Sequence, residues 1–160
     1  MRAPFVALVY PYRKLSEGDF EYALFRRADL GIWQAVSGGG EDDESPEQAA
    51  RREVFEETGL AGELDFLRLD TVNSIPVTHF SISHIWGEKV YVIPQYCFGV
   101  AVPAGKKLVL SHEHTEMCWL QYPEAYEKTH FDDNKVALWE LNLKLLGLGP
   151  RGLSLEAGVD

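Results

Sequence analysis

The chain contains 160 residues, which is the size of one domain and argues against two independent enzymatic domains. Hydrophobic residues make up 46% of it and aromatic residues 12%, so it is neither a disordered chain nor a miniprotein that depends on disulfides. A formal net charge of −10 argues against a nucleic-acid scaffold, because such a protein must neutralise many phosphates. A small anionic ligand would need local arginines or bound cations to overcome this charge.

The N-terminal segment 1–14 contains a short apolar run that prolines interrupt, and we predict a strand there. No small-residue cleavage site follows this segment. No stretch approaches the roughly 18 apolar residues of a membrane helix, so we expect a cytoplasmic protein with no membrane and no nucleic acid as partner. Cys97 and Cys118 each lie in an apolar run, which predicts two reduced core thiols. The sequence leaves open whether the chain forms a homodimer.

Two β-rich segments, 4–10 and 20–26, flank a polar turn and predict a β-hairpin. A short strand at 33–36 follows and leads into the run Ser37-Gly38-Gly39-Gly40 and an acidic stretch at 41–44. We interpret the glycine run as a loop with unusual backbone freedom.

The clearest helix prediction covers residues 46–58. Ser45 is a typical N-cap, and Gln48 completes a capping-box pattern with it. Pro46 fits the first helical position, and Gly59 is a natural C-terminal stop.

The remaining segments predict more strands and one more helix. The pattern is predominantly β over 63–102, with turns at 73–74, 87–88 and 103–105, then a short strand at 117–120 and a C-terminal helix at 131–146. Strands and two helices in this order predict an α/β (α+β) fold, with a mixed sheet sandwiched by helices. We expect one domain over 1–147 and a flexible C-terminal tail over 148–160.

Three glutamates of the predicted helix, Glu53, Glu56 and Glu57, are spaced i, i+3 and i+4 and therefore share one face. Their mutual repulsion destabilises the helix unless cations bind there, and the hard ions Mg²⁺ and Mn²⁺ prefer oxygen ligands. Arg52 precedes Glu56 by four residues and can brace that carboxylate or contact a phosphate. The alternative is a solvated acidic face, which leaves the preceding glycines unexplained.

These residues belong to a longer motif. It runs Gly38, five residues, Glu44, seven residues, Arg52-Glu53, apolar Val54, any residue, Glu56-Glu57, any residue, Gly59 and apolar Leu60. The motif resembles the Nudix box. The resemblance implies a Nudix hydrolase, an α/β/α sandwich that binds Mg²⁺ or Mn²⁺ and cleaves a nucleoside diphosphate linked to another group.

The resemblance also implies residue roles. It makes the helix carboxylates catalytic metal ligands, with one backbone carbonyl as a further candidate: Glu53, Glu56, Glu57 and Gly38. It implies that Arg52, also in the catalytic set, and Glu44 hold the loop and the helix together. Asp43 and Ser37 depart from the residues common in the family, and we expect altered loop geometry with intact chemistry.

Segments outside the box resemble the bacterial branch that hydrolyses dihydroneopterin triphosphate and deoxynucleoside triphosphates. These segments are Arg26-Arg27, Trp33-Gln34, Phe80–His84 and Glu113-His114. The resemblance implies substrate contacts from Arg26, Arg27, Trp33, Gln34 and His84. It makes Glu113 a candidate catalytic base, with a box glutamate not fully occupied by metal as the alternative.

The sequence thus predicts a Mg²⁺-dependent pyrophosphohydrolase that converts a nucleoside or pterin triphosphate to a monophosphate and pyrophosphate. Arg26, Arg27 and Lys89 are the positive charges expected near the phosphates, and His112 and His114 are expected to line the mouth of the site. Trp33 is either a wall for the heterocycle or a core residue. Two other functions stay open: hydrolysis of a dinucleoside polyphosphate or nucleotide sugar, and a Nudix-fold nucleotide sensor that does not cleave.

Overall fold

The structure is a computed structural model that describes residues 1–155, in which seven strands form one sheet. The strands are β1 (Arg2–Lys14), β2 (Phe20–Arg27), β3 (Trp33–Gln34), β4 (Val36–Glu41), β5 (Phe66–Pro76), β6 (Val92–Ala101) and β7 (His114–Gln121). The helices are α1 (Pro46–Thr58), α2 (Tyr122–Lys128) and α3 (Asp132–Leu145). The sheet order is β3-β2-β1-β6-β5, with β4 paired to β1 and β7 paired to β2. The sheet is mixed, because β1 and β6 are parallel while the other pairs are antiparallel.

The helices cover both faces of the sheet. On one face, Val54 of α1 packs with Val9 and Phe25. On the other face, Leu138 and Leu141 of α3 pack against inward side chains of β1 and β2. This arrangement confirms the predicted α/β/α sandwich with a mixed sheet.

The predicted hairpin and the two predicted helices are confirmed. β1 and β2 pair antiparallel, and α3 lies within one residue of its predicted limits at each end. At the start of α1, Ser45 Oγ accepts a hydrogen bond from the Gln48 amide, and the Gln48 side chain accepts one from the Ser45 amide. Gly59 ends the helix in the left-handed conformation, with φ of 76°.

The prediction of a glycine loop before α1 is wrong. Gly38, Gly39 and Gly40 lie in β4, paired with β1, and none of them has a positive φ. The missing side chains of these glycines let other side chains approach β4 closely. A Cβ at the three positions would overlap the side chains of Glu53, Arg2 and Phe5, respectively. In the loop that follows, the left-handed residue is Asp42, with φ of 46°, and not Asp43.

Other differences lie in the second half of the chain. The predicted turn at 73–74 lies inside β5, which pairs with β6 as far as Pro76. Between β5 and β6 the chain forms 3-10 turns at Val77–His79 and Ser83–Trp86 in place of a strand. The sequence did not predict α2, a short helix with Pro123 in its first turn.

The C-terminal segment is described only in part. Residues 148–155 fold back on themselves, since Leu148 and Ser154 form an isolated β-bridge. Residues 156–160 of the predicted tail lie outside the described residues.

Both cysteines are free thiols, and burial raises the pKa of Cys97 to about 12. Within residues 1–155, no helix has the length and apolar character needed to cross a membrane.

One carboxylate of α3 caps an irregularity in β5, the edge strand. The β5–β6 register shifts between Arg68 and Val72. Glu140 accepts hydrogen bonds there from the backbone amides of Asp70, at 2.6 Å, and Thr71, at 2.8 Å. Lys144 pairs with Glu140 at 2.7 Å. The bulge and the helix are therefore locked together.

Candidate active site

The three glutamates on the predicted face of α1 differ in their exposure. Glu53 and Glu57 are buried, at 7% and 3% exposed, whereas Glu56 is exposed. Burying a carboxylate disfavours its charged form, so burial raises the pKa of Glu53. The acidic face is therefore not the solvated surface that the alternative interpretation required.

Arg52 is the hub of this face. Its Nη1 donates to Glu53 at 2.8 Å and to Glu56 at 3.2 Å. Its Nε and Nη2 donate to the two carboxylate oxygens of Glu44 at 2.8 and 2.9 Å, and Nη2 also donates to the Gly39 carbonyl at 2.8 Å. The hydrogen bond from Arg52 lowers the pKa of Glu44. Arg52 thus joins the acidic loop, β4 and α1.

Glu57 has no such cation. Its Oε2 atom is buried and has no hydrogen-bond partner among the described residues. Burial raises the pKa of Glu57 to about 9, and the adjacent Glu113 carboxyl group contributes to the rise. A buried carboxyl group with one unpaired oxygen is typical of a functional site, because a purely structural role does not repay its desolvation.

Glu57 lies in the wall of a cavity of about 630 Å³. Gly38 of β4 and Glu113, from the loop before β7, line the same cavity. We call Glu57 and Glu113 the acidic set. His112 and His114 also line the cavity, as expected for its mouth. His114 is buried, its Nδ1 is unpaired among the described residues, and burial lowers its pKa, which favours a neutral ring.

The cavity wall also carries three amide side chains: Gln34 of β3, Gln95 of β6 and Asn134 of α3, which are 7%, 5% and 3% exposed. We call them the amide set. Gln95 Oε1 accepts a hydrogen bond from Asn73 at 2.8 Å, whereas the Gln34 and Asn134 side chains bond to none of residues 1–155. Uncharged donors and acceptors that open into a cavity are suited to a polar, neutral ligand edge.

Comparison with known proteins identifies the family of this chain. The NUDIX domain model matches residues 12–139, which is most of the chain. This chain belongs to the Nudix family. The dihydroneopterin triphosphate diphosphatase of Escherichia coli K12 is 32% identical over 117 residues, which are 72% of this chain and 77% of that protein.

Two further matches bear on the extent of the likeness. A crystal structure described as a NUDIX hydrolase, from Listeria monocytogenes, superposes with a TM-score of 0.80 at 38% identity and covers 89% of this chain and 94% of that one. An octanoyltransferase of Myxococcus xanthus is 32% identical over 105 residues, which are 63% of this chain. This chain spans only 26% of that longer protein.

The structure separates the five residues expected to contact substrate. Arg27 and Gln34 line the cavity beside the Nudix box, whereas Arg26, Trp33 and His84 do not. Trp33 is partly buried against the core on the α3 side. The Lys128 Nζ lies over its ring, 4.4 Å from the ring centroid. The Arg26 Nε donates to the Gly31 carbonyl at 3.2 Å.

The remaining cavity residues were missed in the sequence. Asn134 is helical and Gln95 sits in a β-rich run, so neither pattern marks them as site residues. Asp132 and Asp133 precede Asn134, and a polar first turn is ordinary for any helix. Arg2 also lines the cavity, although it lies far from the Nudix box in the sequence. Lys89, expected near the phosphates, is not among the cavity residues.

The Nudix box carries the chemistry that a divalent ion requires. Its donors are hard oxygen atoms, and the unpaired Oε2 of Glu57 is the kind of buried atom that a cation satisfies. The missing Cβ of Gly38 leaves room for the Glu53 carboxylate against β4. In this conformation Arg52 bridges Glu53 and Glu56, and no three acidic, histidine or cysteine side chains of residues 1–155 converge on one point. The residues fit Mg²⁺ or Mn²⁺ in kind.

Proposed function

We propose that this Nudix protein is a Mg²⁺-dependent pyrophosphohydrolase that converts a pterin or deoxynucleoside triphosphate to the monophosphate and pyrophosphate. One observation carries the proposal: the buried, unpaired Glu57 and the adjacent Glu113 share a cavity with an amide set. Carboxylates can bind a cation that in turn binds phosphates, and amides can form hydrogen bonds with a neutral heterocycle. The 32% identity with the dihydroneopterin triphosphate diphosphatase supports this substrate class.

In the proposed mechanism, Glu53, Glu56 and Glu57 hold the divalent ion, with the Gly38 carbonyl as a further ligand. When bound, Mg²⁺ screens the negative charge of the phosphate chain and makes it accessible to a nucleophile. Arg52 keeps α1 and the acidic loop in register, because it donates to Glu44 and to the Gly39 carbonyl. These contacts fix where the carboxylates meet the substrate.

Glu113 acts as the general base. It removes a proton from a water molecule, whose oxygen forms a new bond to phosphorus while the oxygen bridge between the α- and β-phosphates breaks. Pyrophosphate leaves with the electron pair of that bond, and the monophosphate keeps the water oxygen. Glu113 suits this role better than Glu57, because burial and the adjacent Glu113 raise the pKa of Glu57 to about 9. Glu113 is itself exposed at the cavity mouth.

The amide set binds the heterocycle in this proposal. Gln34 and Asn134 offer both donors and acceptors, so together they match the alternating N–H and C=O edge of a pterin or a nucleobase. Phe131 lines the same cavity and offers an apolar surface to a flat ring. Arg27 also lines the cavity, but it is paired with Asp29 there.

A substrate panel tests the proposal. Dihydroneopterin triphosphate, dNTPs, NTPs, nucleotide sugars, ADP-ribose and dinucleoside polyphosphates are each incubated with the protein and Mg²⁺, and the products are resolved by chromatography. We expect the first two to give monophosphate and pyrophosphate with the highest kcat/KM. A clear preference for nucleotide sugars or dinucleoside polyphosphates, or orthophosphate as first product, contradicts the substrate class. Binding without turnover of any compound contradicts the activity.

A further inference from the structure

The cavity that we assign to an anionic substrate is lined by more carboxylates than cations. Within residues 1–155, four carboxylates face two arginines across it: Asp29, Glu57, Glu113 and Asp133 against Arg2 and Arg27. Arg27 is already committed, since its Nε and Nη2 donate to the two carboxylate oxygens of Asp29 at 2.9 and 2.6 Å. Most of the positive charge of Arg27 is therefore neutralised within the wall.

Arg2 is in a different situation. Within the part of the chain that the structure describes, the Arg2 guanidinium takes part in none of the ion pairs with carboxylates. Arg2 is exposed, so its guanidinium is solvated and accessible from the cavity that it lines. The uncommitted charge of Arg2 is available to a ligand.

The backbone of Arg2 is held firmly, so its side chain starts from a fixed point. Arg2 is the first residue of β1 and pairs with Glu41 of β4, and the β1–β4 register shifts between Arg2 and Val6. Trp86 Nε1 donates to the Arg2 carbonyl at 2.9 Å. Because this hydrogen bond joins β1 to the turn between β5 and β6, it ties Arg2 to the cavity rim.

Gly39 makes room for the Arg2 side chain. The three atoms nearest to a Cβ built on Gly39 are Nη1, Cδ and Cζ of Arg2. The φ of Gly39 is not positive, so its backbone suits any residue, and an added Cβ would displace the flexible Arg2 side chain. The Gly39 carbonyl accepts from Arg52 on its own account. Gly39 thus lies between an arginine committed to carboxylates and one that is not.

We propose that Arg2 binds the phosphate chain of the substrate and that Gly39 is required to let it reach the cavity. The proposal rests on the proposed function for the identity of the anion, and it adds a positioning residue outside the Nudix box. A guanidinium presents a planar array of donors that fits two phosphate oxygens at once, which suits it to this task. The interaction forms with the phosphates of the bound substrate and persists as the phosphate bridge breaks.

Steady-state kinetics of charge variants test the proposal. We expect Arg2→Gln to raise KM by about tenfold or more while kcat changes little, because charge-assisted bonds are lost equally from substrate and transition state. Arg2→Lys keeps the charge without the planar donors, so it should recover part of the loss. The matched control is Arg13→Gln on the same strand, where Arg13 pairs with Glu21 outside the cavity. It should behave as the wild type.

A mutant cycle and a direct binding measurement complete the test. Gly39→Ala should reproduce the KM defect with Arg2 still present, and it should add little in an Arg2→Ala background, where the clash is gone. Titration calorimetry with inorganic tripolyphosphate in Mg²⁺ buffer should show about tenfold weaker binding by Arg2→Gln than by the wild type. Failure of the wild type to hydrolyse any substrate sinks the proposed function, and the calorimetry still decides the role of Arg2. Equal tripolyphosphate affinities, no binding by the wild type, or fully additive losses in the cycle overturn the proposal.

Discussion

The acidic set and the amide set share one cavity but meet opposite physical demands. Glu57 of the acidic set is buried without a cation, and its pKa is raised to about 9. The amides of Gln34 and Asn134 are equally buried and uncharged, so they tolerate the same environment at lower energetic cost. In the proposed function, the acidic set carries out the reaction and the amide set recognises the heterocycle. Variants of each set should therefore fail in different kinetic constants.

The largest effect is expected from the box helix. Glu57→Gln and Glu56→Gln each keep the side-chain shape and remove a charge that holds the divalent ion in the proposed mechanism, so kcat should fall by about 100-fold or more on every substrate. Far-UV circular dichroism should show folded protein in both cases. Glu47→Gln, which changes an exposed glutamate of the same helix paired with Arg51, is the control and should leave the rate unchanged. An unaltered rate in a folded Glu57→Gln variant would remove this carboxylate from the reaction.

Glu113→Gln sharpens the contrast inside the acidic set. Loss of a general base should slow kcat by about 100-fold while KM changes much less, because the neutral amide still occupies the same place. Glu116→Gln, an exposed carboxylate on β7, is the nearby control. A variant that loses binding and keeps kcat would reassign Glu113 to substrate recognition.

Asn134→Ala examines the amide set alone. The variant removes a buried donor and acceptor, and we expect KM for the heterocyclic triphosphates to rise by about tenfold. The affinity for inorganic tripolyphosphate should not change, because that ligand has no heterocycle. Gln121→Ala, at an exposed amide before α2, should alter neither quantity. Weaker tripolyphosphate binding by Asn134→Ala would show that the two sets are not separable.

The smallest effect concerns stability against pH in the metal-free protein. Glu57 has a folded pKa of about 9 against an ordinary value of 4.5, so folded protein keeps a proton that the unfolded chain releases. The stability that this proton confers is complete below about pH 4.5 and is lost progressively as the pH rises towards 9. Thermal melts in EDTA should show a falling Tm from pH 6 to 9, and Glu57→Gln should flatten that slope. A Tm that rises with pH in EDTA would contradict the assignment of Glu57 as protonated.

The two sets also differ in how far the sequence revealed them. The box residues lie within one continuous stretch, where capping signals and i, i+3 and i+4 spacing define helix geometry directly. Glu57 was therefore placed correctly on α1. The amide set is assembled from β3, β6 and α3, which only the sheet topology brings together. Since no local pattern encodes that topology, Gln95 and Asn134 could not be found.

Local patterns also misjudged the glycines and left the position of Trp33 open. Consecutive glycines usually signal a loop, but here Gly38 to Gly40 lie in β4. Their missing side chains leave room for three large side chains that approach the strand. That reason is tertiary and invisible in a window of sequence. An aromatic on a strand fits either a core or a ligand wall equally well, and the structure places Trp33 in the core. Neighbouring residues of a strand point to opposite faces of the sheet, so Gln34 lines the cavity while Trp33 packs on the α3 side.

Glu140 has a consequence for how this protein behaves at high concentration. Among the described strands, β5 pairs only with β6, so it is the open margin of the sheet. Exposed amides on such a margin recruit strands from other molecules and seed aggregates. Glu140 accepts hydrogen bonds from the backbone amides of Asp70 and Thr71 at the bulge. These two amides are therefore not free to pair with a strand of another molecule. We therefore expect α3 to limit edge-to-edge association of the sheet as well as packing its core.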